Sequence, residues 1–162
     1  MRSAAAVRVL NIVPAKPSPR PQPAPQRRVE TVPLAGSLTI SVPVGAEAVT
    51  ALSAVLAEIH GEIVARHTNK RTLDPQAPTA LLGRVAGLHV ARWVLLPARV
   101  RRLGVETPPS LVMWTVFDGE ACDHMRELVN EARALIDRIY VHCAGYPGPA
   151  SDARDVRDFL ML

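Results

Sequence analysis

LVMWTVFDGEACDHM, Leu111–Met125, decides the fold. Leu111–Phe117 is apolar except for Thr115 and rich in β-branched and aromatic residues, so it reads as a buried strand. Asp118-Gly119 stops that strand. Asp hydrogen-bonds to local backbone and Gly tolerates positive φ, so the pair predicts a turn, with Asp118 serving the first free N–H groups of a following helix. From Ala121 the apolar spacing changes to three and four. Met125, Leu128, Val129, Ala132, Leu135 and Ile136 form one stripe, which predicts a one-faced helix.

Upstream, LHVARWVLL (Leu88–Leu96) is a second strand, interrupted only by His89 and Arg92. PARVRRLGVETPP (Pro97–Pro109) joins the two as a basic, extended hairpin loop. Arg66–Gly87 is mixed: Asp74-Pro75 and Pro78 mark loop, and Thr79–Val85 suits a helical turn. Before it, Ala46–Ala65 carries Val49, Leu52, Val55, Leu56, Ile59 and Ile63 on one face and is a helix made to cover a sheet. SLTISVPV (Ser37–Val44) alternates with period two, and Pro43 puts that strand at an edge or at its end. Downstream, Arg138–Cys143 suits either a longer helix or a final strand; Ile139-Tyr140-Val141 favours the strand. Ser151 is a good N-cap for a terminal helix ending in Phe159-Leu160-Met161-Leu162, which needs a surface to bury against.

The order is β-α-β-β-α-β, an α+β chain with the ferredoxin-like split βαβ arrangement and an antiparallel sheet. Its two helices cover one face. LHVARWVLL and LVMWTVF are apolar on both alternating sets, so the second face expects a cover as well. Self-association or a protein partner, sheet to sheet, is the expectation. Three segments follow: a basic Pro-rich tail over 1–36, the folded domain over 37–150 and the terminal helix over 151–162.

Charge separates the tail from the body. The chain carries a net charge of +4, yet residues 1–28 hold six basic residues and no acid. The remainder therefore has 13 basic against 15 acidic residues. With aromatics at 4%, the body has neither the basic groove nor the stacking platforms of a nucleic-acid binder. Residues 14–33 contain seven prolines and predict a disordered or polyproline II spacer. AAAVRVLNIV before it suits an anchor that orders on a partner. Arg8 breaks the apolar run that a signal peptide needs. No stretch approaches the ~20 apolar residues of a membrane span. Two cysteines make no disulfide framework, and a reduced, cytoplasmic chain is expected.

The strings LHVARWVLLP, LVMWTVFDG and IYVHCAGYP, running from Leu88 to Pro147, resemble the dimeric α+β-barrel superfamily. It includes small monooxygenases, chlorite dismutase-like proteins and dye-decolourising peroxidases; within this fold the strings look like an uncharacterised bacterial family. The resemblance implies paired sheets and, in part of the superfamily, haem. Dye-decolourising peroxidases carry a G-x-x-D-G motif with a distal aspartate. Thr115-Val116-Phe117-Asp118-Gly119 lies in that register with Thr115 in place of the first glycine, so only Asp118 and Gly119 match.

The candidate catalytic residues are Asp118 and Arg92. A mid-strand guanidinium must be paired or reach water, and Asp118 on the neighbouring strand is the expected partner. His89 and His142 are the candidate axial haem ligands; without C-x-x-C-H no covalent haem is expected. Cys122, His124, His142 and Cys143 have the wrong spacing for zinc, and no metal site is expected. Phosphate-loop, nucleophile-elbow and metalloprotease motifs are missing from the sequence. Two functions remain: a non-catalytic, oligomerising accessory subunit, and a haem-binding peroxidase- or oxygenase-like domain.

Overall fold

The computed structural model describes residues 9–12, 35–69, 77–100 and 106–162. The Pro-rich spacer expected over 14–33, the Asp74-Pro75 loop and part of the basic connector lie outside them.

The chain is mixed α+β. One antiparallel sheet contains β1 (Val9–Ile12), β2 (Ala35–Pro43), β3 (Leu88–Leu96) and β6 (Ser110–Asp118) in the order β1-β3-β6-β2. β2 and β3 run parallel to each other, with β6 inserted antiparallel to both. α1 (Val49–Asn69), entered through a 3-10 turn at Ala46–Ala48, links β2 to β3. The short α2 (Pro78–Leu81) starts on Pro78, whose missing N–H is no loss at a helix start. β4 (Arg99–Val100) and β5 (Glu106–Thr107), the described parts of the basic connector, pair as a two-stranded ribbon. After β6 come α3 (Ala121–Glu131), α4 (Arg133–Tyr140) and α5 (Ala153–Leu160).

The period-two pattern decides which face is buried. Ile40 and Val42 of β2, Ala91, Trp93 and Leu95 of β3, and Leu111, Met113 and Phe117 of β6 point to the helix layer and are buried. They meet Leu52, Leu56 and Ile59 of α1 and Met125, Leu128, Leu135, Ile136 and Ile139 of α3 and α4 in one core. Ala46–Ala65 is, by length and composition, long and apolar enough to cross a membrane, which corrects the expectation that no stretch comes near. Here it buries one stripe on the sheet, and Glu58 and Glu62 on its outer side bind Arg138 of α4 at 2.9 and 2.8 Å.

Three local expectations are corrected. The final strand over Arg138–Cys143 does not form: α4 runs to Tyr140, and only Cys143 reaches the sheet, as an isolated antiparallel bridge to Val44. Burial overrides β propensity here, because Leu135, Ile136, Ile139 and Tyr140 fall on one helical face and are fully buried. The helix after Asp118-Gly119 has Glu120 as its N-cap without a side-chain cap bond; Gly119 does take positive φ, 94°. The terminal helix is capped by Asp152, whose carboxylate accepts from Asp155 N at 2.8 Å, while Ser151 Oγ donates to Pro147 O. At the other end of the chain, Val9–Ile12 orders on the chain's own β3 edge.

Candidate functional site

The second face of the sheet carries the unexplained chemistry. Val90, Val94 and Leu96 of β3 and Val112, Trp114 and Val116 of β6 alternate with the core residues and stay part-exposed. None belongs to the core cluster or packs against it. Registers Val90↔Val116, Arg92↔Trp114 and Val94↔Val112 place them side by side. Ser37, Thr39 and Ser41 of β2 line the rim. Among the described residues no helix covers this face. Part-exposed aliphatic and indole surface gathered in one patch is costly in water.

Arg92 lies on this face. Its guanidinium sits over the Trp114 ring, 5.8 Å from the centroid, a cation–π contact of about 0.5–1 kcal/mol. The expected pairing with Asp118 is corrected. Four residue steps lead from Trp114 to Asp118, about 13 Å along the strand, and Asp118 binds His89 Nε2 at 2.9 Å. That pair closes one end of the sheet. Gly87 makes it possible: at φ 68° its carbonyl accepts from Asp118 N at 3.0 Å, and an added Cβ would stand 3.1 Å from Asp118 Cβ.

The two candidate axial histidines lie apart. His89 is at the Asp118 end of the sheet, while His142 is in the turn after α4 beside the Val44–Cys143 bridge, at the other end. Nine residues of strand, roughly 30 Å, separate those ends. His89 Nε2 is already engaged with Asp118. Cys122 is exposed and His124 buried, two residues apart on a helix and so on opposite sides. Burial pushes the Cys143 thiol up to about 12, far from a reactive thiolate.

His124 is a residue whose place the sequence hides. Its Nε2 lies 3.1 Å from Thr115 Oγ1 under the sheet, and its ring stacks on Phe117 at 3.9 Å, nearly parallel. Burial pushes its pKa below the ordinary value, with Glu127 partly opposing. Thr115 is the one polar break in the LVMWTVF strand, and a buried hydroxyl needs a partner.

A cleft of about 590 Å³ runs along the outer edge of β2. Leu38–Pro43 form one wall and Phe159–Leu162 the other, with Ala144 and Gly145 at one end. Neither histidine candidate lines it. Phe159 is held edge-on by Tyr140 and Tyr146, centroids at 6.1 and 5.4 Å. The Tyr146 hydroxyl donates to Asp137. Arg133 binds Asp137 through Nε and donates to the carbonyls of Pro149 and Ser151 at 3.1 and 2.9 Å, pinning the loop before α5.

No family model matches the chain, and neither a curated protein nor a solved structure matches it.

Proposed function

We propose that the chain is a non-catalytic assembly subunit with a ferredoxin-like split βαβ frame, pairing through its open sheet face in the manner of a dimeric α+β barrel. The observation that carries the reading is the apolar face of β3 and β6, built opposite the core and, among the described residues, without a covering helix. The Pro-rich tail and the terminal helix are the further segments through which it docks to a larger protein complex. Val94→Asp places a charge at the centre of the face without touching the core. It is expected to reduce the native mass while leaving the far-ultraviolet circular dichroism unchanged. A variant of unchanged native mass would count against the face as the interface.

A haem-binding role, as the dye-decolourising peroxidase and chlorite dismutase resemblance suggests, has one supporting observation. Asp118 is bonded to His89, and a carboxylate behind an imidazole raises its strength as a ligand. Asp118 would then stand behind the axial His89 as its support, and Arg92, over Trp114, would stand apart from that pair. Adding haem to the purified chain tests this: a Soret band lost in His89→Ala supports it, and an unbound haem spectrum removes it.

A further inference from the structure

We propose that the outer edge of β2 is a strand-addition site that takes an extended, uncharged peptide segment of a partner protein beneath Phe159–Leu162. This goes beyond the sheet-face reading: it uses the edge and not the face, so either can fail alone.

The hydrogen-bond pattern orients the edge. Val44 N donates to Pro109 O at 2.8 Å, so Val44 faces β6, and with it Val42, Ile40 and Leu38. In an antiparallel ladder the alternate residues then turn their N–H and C=O groups the other way. Pro43 bears this out, since its carbonyl accepts from Ala144 N at 3.0 Å on the outer side. Ser37, Thr39 and Ser41 thus present backbone donors and acceptors outward. Pro43 belongs to the same outward set, the one place where a missing N–H costs the ladder nothing. Among the described residues no strand pairs with this edge; the bridge from Cys143 closes only its end.

An open edge is a template for another strand, and proteins usually blunt it with charge. From Ala35 to Val44 there is no charged residue. The wall opposite is apolar and wants cover: Met161 is 42% exposed and Leu162 fully so. No side chain lining the cleft is charged, so a charge on the guest facing that wall would lose water without gaining a side-chain partner. The guest is therefore a short extended segment, apolar at every second position facing Phe159–Leu162, as in other strand-addition complexes. A second copy's β2 fits less well. It would bring its own Phe159–Leu162 overhang to the layer the first copy's overhang already fills.

The probe is a blocked peptide, Leu-Thr-Ile-Ser-Val, the pattern of Leu38–Val42, titrated into the full chain. Amide exchange at Ser37, Thr39 and Ser41 is expected to be fast without peptide and to slow about tenfold or more with it. Thr39→Pro removes one outward N–H at a position equivalent to Pro43 and is expected to weaken binding about tenfold. Met161→Asp, which leaves β2 untouched, is expected to do the same. Amides unaffected by peptide on the order of 1 mM, or both variants binding as tightly as the parent, overturn the proposal. Protection at these amides that grows with chain concentration also overturns it, and assigns the edge to a second copy.

Discussion

At the scale of single residues, the polar groups under the sheet are few and tightly placed. His124 is held neutral, because burial among Phe117 and the core opposes its protonation. Its folded pKa lies below the unfolded value of about 6.5, so the unfolded chain takes the proton first. The stability it contributes is complete above that value and is lost as pH falls below it. Urea midpoints at about pH 7.5 and 5.5 check this. His124→Leu is expected to lose less stability between the two than the parent does; equal losses would contradict the assignment. Gly87 is the second such residue. Its positive φ strains any side chain and Asp118 would have to give way to a Cβ, so Gly87→Ala is expected to cost about 1–3 kcal/mol, read from the same midpoints. Of these residues the sequence marked Gly119 as a turn glycine. It did not mark His124 or the His89–Asp118 bond, because both depend on strands brought together from distant positions.

At the scale of elements, the apolar patterns placed β2, α1, β3, β6 and α3 close to where they lie. The failure at Arg138–Cys143 is instructive. Ile139-Tyr140-Val141 has strand-like composition, but propensity is weak beside four fully buried side chains on one helical face. β1 was hidden for a related reason: four residues within a Pro-rich tail carry too short a pattern to read, and β3's edge supplies the order. The C-terminal unit depends on Arg133, which bridges α4 to the carbonyls before α5. Arg133→Ala is expected to cost about 1–3 kcal/mol and to raise amide exchange through Ala153–Leu160 more than elsewhere. Uniform exchange would show that α5 packs independently of this bridge. Ile59→Ala, on the buried stripe of α1, is expected to cost about 2–5 kcal/mol in thermal or urea unfolding.

At the scale of the whole molecule, the two-sided apolar character of β3 and β6 was legible in the sequence, and among the described residues helices cover one side only. Whether a partner covers the other was not legible, since an apolar strand face carries no pattern that names what it meets. Candidate chemistry disperses on folding. Arg92 goes to Trp114, Asp118 to His89, and His142 to the far end of the sheet. That dispersal favours assembly over catalysis as the proposed role. The native mass of the intact chain by light scattering, over a dilution series, tests that role most directly. The account expects at least twice the 17.5 kDa of one chain, falling towards it on dilution or in Val94→Asp; a single-chain mass throughout the series would contradict self-pairing through the sheet.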